Sequence, residues 1–214
     1  MDQPLSPAYL ALLNSGQLAD RVRRAHHRMA RCDLCAHYCR VNRLQSKCGA
    51  RCRSGRRASV ASFGPHHGEE RALVGRRGSG TIFFSRCNLR CVFCQNWDIS
   101  QQDRGREVSA SELAAMMLEL QNSGCHNINL VSPSHVVGPL LAALLLAAKR
   151  GLRLPLVYNS GGYDSLEALT LLDGVVDIYM PDMKFADSEI AAPLLGSVDY
   201  AEVNRAAVLE MHRQ

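Results

Sequence analysis

The spacing of apolar residues changes along the chain and separates a helical start, a Cys-rich stretch and a longer regular part. In residues 8–31, tyrosine and leucine side chains recur at near-helical intervals, which predicts a helix. Residues 32–58 are rich in Cys, Arg and Gly, which predicts loops held by a metal. Residues 59–79 contain a Gly-Pro-His-His-Gly stretch and are predicted to connect the Cys-rich stretch to the regular part.

From Gly80 onward, short apolar runs alternate with longer helical patterns. Four runs rich in β-branched and aromatic residues predict strands at 81–85, 128–131, 154–158 and 175–180. The stretches between and after them predict helices at 110–123, 136–150, 165–172 and 187–213. Ser109 and Glu112 form a capping-box pattern before the first of these helices. Four successive βα units are typical of an α/β fold with a parallel sheet or barrel, and the continuous apolar strands indicate cover on both faces.

Composition limits the class of protein. The chain has 214 residues, of which 47% are hydrophobic and 21% are charged, as in a globular domain with a small appendage. The longest strongly apolar run lies within residues 136–148 and is too short to cross a bilayer. The first residues lack a signal-peptide pattern, so we expect a cytoplasmic location and no membrane partner.

The net charge of +5 is unevenly distributed. Residues 21–57 contain twelve Arg and Lys against one acid, Asp33, so this basic head carries +11 and the remainder about −6. The basic head either binds nucleic acid or an acidic partner protein, or it is simply a solvated surface. Tyr38 is the one aromatic residue interleaved there for base stacking.

Nine cysteines are many for a chain of this composition. Eight of them lie between Cys32 and Cys94, and Cys125 stands apart. In a reducing compartment such crowding indicates metal or iron–sulfur ligation instead of disulfides. We expect Cys125 to be a buried structural thiol.

Cys87, Cys91 and Cys94 directly follow the strand predicted at 81–85, in a Cys-x3-Cys-x2-Cys pattern. The carboxyl ends of parallel strands carry the active sites of α/β folds. Three thiolates can ligate three irons of a 4Fe-4S cluster and leave the fourth iron open to the amino and carboxylate groups of S-adenosylmethionine (SAM). The alternatives are a zinc site, which usually takes four ligands, or unligated thiols.

The segment 78–97, which contains this triad, resembles the radical SAM superfamily and, more narrowly, homologues of the pyruvate formate-lyase activating enzyme. The similarity runs over residues 8–214 and includes the motifs at 32–35, 41–43, 68–70, 158–163 and 177–184. The resemblance implies a partial (β/α) barrel and cleavage of SAM to a 5′-deoxyadenosyl radical that abstracts hydrogen, for instance from a glycine of a partner enzyme. It also implies an external electron donor such as flavodoxin or ferredoxin.

The resemblance further implies roles for individual residues. Phe93 is placed near the adenine of SAM, and Asp182 with Lys184 forms the Asp-x-Lys that serves the cofactor. The Lys184 ammonium would neutralise the methionine carboxylate. Four groups match a monovalent-cation site of the family: Asn159, Ser160, Asp182 and the Met180 carbonyl. Asn159 would weaken that site, because the activating enzyme has Asp at this position. The alternative for Asp182 and Lys184 is an exposed ion pair that contributes little to stability.

The sequence also departs from the family pattern. Val-Ser-Pro-Ser-His replaces the usual Gly-Gly-Glu, so either Ser132, Ser134 or His135 contacts the cofactor, or His135 is a buried or surface histidine. His66 and His67 are candidates for the substrate side of the site, or are loop residues. Family members continue for two more strands and helices, so we expect this chain to be C-terminally incomplete, as a fragment or a degraded copy.

The cysteines of the head fit two ligand sets. The family pattern uses Cys32, Cys35, Cys39 and Cys48, whereas Cys32, Cys35, Cys48 and Cys52 would form a zinc module of two short pairs. Either set makes a closed four-thiolate site for a structural zinc or for a second iron–sulfur cluster that relays electrons. Unligated thiols are the third alternative.

These observations predict three segments and one leading function. The segments are a helix with a Cys-rich metal-binding stretch at 1–58, a connection at 59–79 and an incomplete radical SAM barrel at 80–214. The leading function is a radical SAM enzyme, an oxidoreductase or lyase of the activating type. The alternatives are a catalytically impaired fragment that acts as an iron–sulfur or zinc binding module for an acidic partner or nucleic acid, and an iron–sulfur electron carrier.

Overall fold

The structure is a computed structural model that describes residues 6–214. Its helices are α1 (Tyr9–Asn14), α2 (Gln17–Met29), α3 (Arg71–Val74), α4 (Trp97–Gln101), α5 (Ala110–Asn122), α6 (Val137–Lys149), α7 (Leu166–Leu172), α8 (Ser188–Leu195) and α9 (Tyr200–Arg213). Its strands are β1 (Ala58–His66), β2 (Ser79–Phe84), β3 (Arg106–Val108), β4 (Ile128–Val131), β5 (Leu156–Ser160) and β6 (Ile178–Pro181).

The strands form one mixed sheet in the order β3-β1-β2-β4-β5-β6. The four strands predicted from the apolar runs are β2, β4, β5 and β6, and neighbours among them pair in parallel. The predicted α/β fold is therefore confirmed. The carboxyl ends of these four strands meet at one edge of the sheet, where the sequence places the Cys87 loop. The barrel character of the sheet remains a prediction.

The prediction that residues 59–79 only connect the head to the sheet is wrong. Residues 58–66 form β1, which pairs antiparallel with β2 on one side and with β3 on the other. Pro65 made this stretch resemble a turn, because proline lacks the amide hydrogen that a central strand needs. It is tolerated because β3 pairs only with residues 58–60, so the β1 backbone around Pro65 has a single neighbour.

Two predicted helices are each broken at a glycine. The helix expected over 8–31 is α1 and α2, which meet at Gly16 with φ 80°. The helix expected over 187–213 is α8 and α9, which are separated after Gly196 with φ 71°. A positive φ ends a right-handed helix and is accessible to glycine without strain, so both breaks follow from the residue type.

The main core joins the sheet to the helices that connect its strands. The side chains of Leu113 in α5, Leu144 in α6 and Leu169 in α7 are completely buried in it. α6 packs between α2 and α5, which explains its nearly uniform apolar sequence. Among residues 6–214, every helix is too short or too polar to span a bilayer.

β2, β4 and β5 are buried on both faces of the sheet, as the sequence predicts, but β6 is not. The residues of β6 are half-buried or exposed, and Ile178 is 38% exposed. β6 is the last strand of the sheet in the described residues, so it has the open edge expected after the fourth parallel strand.

The Cys-rich head has no helix or strand between residues 30 and 57, as predicted. Backbone hydrogen bonds from Cys32 to the Val41 carbonyl and from Arg43 to the Met29 carbonyl fold it back on itself. The Ser165 hydroxyl, which caps α7, donates to the Asp33 carbonyl at 2.8 Å. The head is thereby tied to the α/β part of the chain.

The capping box predicted before α5 is confirmed and gives a direct test of the fold. The Glu112 amide donates to the Ser109 hydroxyl at 3.2 Å, and the Ser109 amide donates to the Glu112 carboxylate at 2.7 Å. Ser109→Ala is expected to lower the free energy of unfolding by about 1 kcal/mol, because one amide of the first turn loses its acceptor. Urea denaturation measures this change.

The matched control for this prediction is Ser111→Ala in the same first turn. Ser111 is exposed and has no capping role in α5, so this change is expected to alter stability by less than about 0.5 kcal/mol. Equal losses in the two variants would show that the capping box contributes nothing.

Candidate active site

The loop that carries Cys87, Cys91 and Cys94 leaves the sheet at the end of β2. It rests on the end of α8, because the Arg90 amide donates to the Leu195 carbonyl and the Val92 amide to the Leu194 carbonyl, both at 2.9 Å. Beneath the loop lies a second apolar cluster, against which Cys87 and Cys91 pack: Ala36, Leu89, Tyr163, Ala191, Leu195 and Tyr200.

The three thiols of this loop interact with one another. Burial raises the pKa of Cys87 to about 12, and nearby Cys91 and Cys94 act in the same direction, against a hydrogen bond from the Leu89 amide. Burial also raises the pKa of Cys91, and the Lys184 ammonium acts against this shift. Burial therefore disfavours the thiolate forms of Cys87 and Cys91, and iron binding at these two residues requires that each proton be displaced.

No three His, Cys, Asp or Glu side chains within residues 6–214 converge on one point as ligands of a single ion would. A closed zinc site is thus not formed by Cys87, Cys91 and Cys94 as they stand. A cubane 4Fe-4S cluster requires a different arrangement of sulfurs, because each thiolate binds its own iron. Three neighbouring thiols on one short loop fit that donor arrangement.

The Asp182–Lys184 pair follows β6 and lies across the strand ends from the cysteine loop. Lys184 Nζ is 2.5 Å from Asp182 Oδ2, and the lysine side chain is 22% exposed. Its charge acts on both Cys87 and Cys91, so the end of β6 faces the loop after β2. The structure therefore brings the two sequence motifs together, as their positions at strand ends led us to expect.

Two residues of α9 fix the chain around this pair, and no motif or spacing in the sequence indicated them. The Tyr200 hydroxyl accepts from the Lys184 amide at 3.1 Å and shares its proton between the carbonyls of Gly161 (2.9 Å) and Asp182 (3.2 Å). The Asn204 amide group donates to the carbonyls of Asp182 (2.8 Å) and Gly162 (3.1 Å). Both side chains are buried, so the ends of β5 and β6 are locked to α9.

Phe93, beside the third cysteine, forms an aromatic edge at the mouth of the loop. Its ring is 50% exposed and lies 6.0 Å from the ring of Phe185, which follows Lys184. Trp97 and Met183 are exposed in the same two segments. Apolar surface of this kind at a strand-end site is typical of a binding cleft.

Comparison with known proteins agrees with this geometry. Residues 81–209, from β2 through most of α9, match the model of the radical SAM superfamily. The chain belongs to the radical SAM superfamily. It is also 35% identical over 179 residues to an uncharacterised protein of Methanocaldococcus jannaschii, across 80% of this chain and 51% of that protein. The chain thus spans about half the length of this curated relative.

Membership in the radical SAM superfamily implies a 4Fe-4S cluster and SAM as cofactors. The residues predicted to serve them are near one another at the strand ends: Cys87, Cys91, Cys94, Phe93, Asp182 and Lys184. Asn159 and Met180 are paired in register on β5 and β6. Ser160 is buried, and its hydroxyl donates to Asp164 at 2.8 Å and accepts from the Gly162 amide at 3.2 Å; its contact with a cation stays a prediction.

The residues that replace Gly-Gly-Glu are turned inward. His135 is completely buried, and its Nε2–H donates to the Ser85 carbonyl at 3.0 Å at the end of β2. Burial lowers the pKa of His135 to about 3, so it is neutral. Ser134 is also buried, and it acts to lower the pKa of the buried Asp164 carboxyl against the effect of burial. The buried-histidine interpretation therefore describes this loop.

His66 and His67 lie at the opposite end of the sheet from the radical SAM cysteines. His66 is the last residue of β1 and pairs with Ser79, the first residue of β2. Its ring contacts the edge of Phe83. The expectation that these histidines line the substrate side of the site is wrong, because β1 runs antiparallel to β2.

The head cysteines separate into two groups. Cys32, Cys35 and Cys52 are buried, whereas Cys48 is exposed and Cys39 is half-buried. Cys39 Sγ accepts a hydrogen bond from the Arg51 amide at 3.4 Å. Which of them bind a metal stays a prediction.

His37 connects the head to the radical SAM loop. Its Nε2–H donates to the carbonyl of Asn88, next to Cys87, at 2.6 Å, and its ring packs on Tyr163. Burial lowers its pKa, which favours the neutral ring. The charge and spacing of the head gave no indication of this contact.

Tyr200→Phe tests the link between α9 and the radical SAM strand ends. It removes one hydroxyl that serves three backbone groups, so we expect a loss of about 1–2 kcal/mol in the free energy of unfolding. We also expect faster hydrogen exchange at the Lys184 amide, whose acceptor is lost.

Tyr179→Phe is the control, because within residues 6–214 its hydroxyl bonds only to the exposed Gln214 side chain. It should leave Lys184 exchange unchanged. Unaltered exchange in Tyr200→Phe as well would mean that α9 does not position the Asp182–Lys184 turn.

Proposed function

We propose that this chain is a radical SAM enzyme in which Cys87, Cys91 and Cys94 hold the 4Fe-4S cluster and Lys184 and Asp182 orient SAM. The observation that carries the proposal is that the Lys184 ammonium, at the end of β6, acts on the sulfurs of the loop after β2. An anionic cofactor group bound at the cluster would thus meet a cation held by the fold.

When bound, the cluster and SAM supply the reductive cleavage that yields a 5′-deoxyadenosyl radical for hydrogen abstraction. The protein's part is placement. Lys184 offsets the carboxylate of SAM, and Asp182 keeps the ammonium extended over the loop. Phe93 and Phe185 offer an exposed aromatic edge on which the adenine can stack.

A monovalent cation is a further part of the proposal. The support is that the Met180 and Asn159 backbones pair in register beside Asp182, so several oxygens lie at the ends of adjacent strands. The Met180 carbonyl and the Asp182 carboxylate, with Asn159 and Ser160, would supply the ligands.

The finer assignment follows the resemblance to activating enzymes. We propose a cytoplasmic protein with a partial barrel, a flavodoxin- or ferredoxin-like electron donor and a substrate that includes a protein glycine. The N-terminal cysteines would hold zinc or a second cluster. The support is the set of motifs at 158–163 and 177–184 together with the exposed apolar rim at Phe93 and Met183.

Anaerobic reconstitution tests the function. The full chain with iron and sulfide, then dithionite and SAM, is expected to release 5′-deoxyadenosine, measured by liquid chromatography. The triple variant Cys87→Ser, Cys91→Ser, Cys94→Ser should release none above the protein-free background, because the cluster has no ligands.

Cys125→Ser is the control, since Cys125 is a buried thiol outside the triad. It should match the wild type. The enzyme hypothesis would be refuted if the reconstituted cluster left SAM intact and its electron paramagnetic resonance spectrum did not change when SAM was added. That result would favour an electron carrier.

Lys184→Met tests the placement of SAM. We expect the Kd for SAM to rise about tenfold, ~1.4 kcal/mol, because the carboxylate loses its charged donor while the cluster ligands remain. Lys149→Met at the exposed end of α6 is the matched control and should leave the Kd unchanged. Equal Kd values for the two variants would show that Lys184 does not bind SAM and only forms a surface ion pair with Asp182.

A further inference from the structure

The Cys-rich head encloses a buried arginine. Arg43 is 2% exposed. Its Nε donates to the Ser54 carbonyl at 2.9 Å and its Nη2 to the Gly55 carbonyl at 3.0 Å. Its Nη1 donates to Cys32 Sγ at 3.6 Å. The guanidinium therefore has two neutral oxygens and one sulfur as partners.

Arg43 has no carboxylate within ion-pair distance among residues 6–214. Asp33, the one acid of the head, pairs with Arg28 at 2.7 Å and Arg40 at 2.9 Å. His135, which also faces Arg43, is neutral. Burying an arginine without a counter-charge is strongly unfavourable, so the fold requires an anion at this place.

The groups around the guanidinium are thiols. Cys32, Cys35 and Cys52 are 4%, 6% and 3% exposed. The Cys32 sulfur accepts the hydrogen bond from Arg43 Nη1, and Cys52 and Cys35 are the other thiols close enough to act on the guanidinium. Cys35 in turn lies within the electrostatic reach of Cys52 and Cys32. Three buried sulfurs and one buried cation thus share one small volume.

The geometry points to a thiolate metal centre in the head, held by Cys32, Cys35 and Cys52 with Arg43 as its counter-charge. A zinc dication with three thiolates carries one net negative charge, and so does an oxidised 4Fe-4S core with three thiolates. One guanidinium offsets that charge in either case. This centre is separate from the radical SAM cluster, and its assignment rests on the proposal above that the N-terminal cysteines hold zinc or a second cluster.

The same observations favour neither of the two four-thiolate sets that spacing left open. Cys48 belongs to both four-thiolate sets, yet it is exposed, whereas Cys52 is buried against Arg43. The sulfurs do not converge on a common point, so a single ion requires their side chains to turn inward. A cubane needs less movement because each thiolate takes its own iron.

Metal counting in the full chain tests the assignment. Cys87→Ser, Cys91→Ser and Cys94→Ser are introduced together, so that any retained metal belongs to the head. The reduced protein is loaded either with Zn²⁺ or, anaerobically, with iron and sulfide, then desalted and analysed. We expect one zinc ion or one cluster per chain.

Two further variants in this background separate the ligand sets. Cys52→Ser is expected to lower the retained metal at least about tenfold, whereas Cys48→Ser keeps it. The assignment is overturned if Cys52→Ser retains the metal or if Cys48→Ser loses it. It is also overturned if the head binds no metal under either loading condition. Failure of the SAM assay, which uses the intact triad, leaves this result unaffected.

Arg43 is tested as a positioning residue by affinity. Arg43→Met is expected to weaken metal binding about 10–100-fold in a chelator competition, and Arg43→Lys, which keeps the charge, to weaken it less. Far-ultraviolet circular dichroism checks that both variants fold. Equal affinities for wild type and a folded Arg43→Met would refute the counter-charge, and the comparison of Cys52 with Cys48 stands if that variant does not fold.

Discussion

The hydrogen bonds from α9 to the backbone at the ends of β5 and β6 are the constraint on which the radical SAM site depends. Tyr200 and Asn204 are far along the chain from the cysteine loop, yet they hold the Asp182 carbonyl and the Lys184 amide in place. Without them, the chain that leaves the edge strand β6 would have few partners. The Lys184 side chain, whose charge acts on Cys87 and Cys91, extends from the backbone that these bonds hold.

The head is part of the same structural unit as the sheet. Ala36 packs on Leu89 of the cysteine loop, and His37 bonds to the carbonyl of Asn88 beside Cys87. A metal centre at Cys32, Cys35 and Cys52 would therefore fix the backbone that supports the radical SAM loop from behind. Arg43 is buried beside these cysteines, so its positive charge and the negative charge of the proposed thiolate centre would stabilise each other.

The sequence-based interpretation failed where long-range pairing outweighed local residue preferences. Pro65 and the glycines around it indicate a turn locally, but β1 is stabilised by partners at residues 79–84 and 106–108. His66 and His67 consequently lie at the far end of the sheet.

The sequence by itself determined the elements and the chemistry that are local. The apolar runs set β2, β4, β5 and β6, the Ser109–Glu112 pair set the start of α5, and the Cys-x3-Cys-x2-Cys spacing set the donor loop. Only the tertiary structure decided which side chains from distant segments meet. Packing placed α9 under the Asp182–Lys184 turn and buried Cys52, not Cys48, beside Arg43. Such contacts depend on burial and charge balance in three dimensions, which spacing along the chain does not contain.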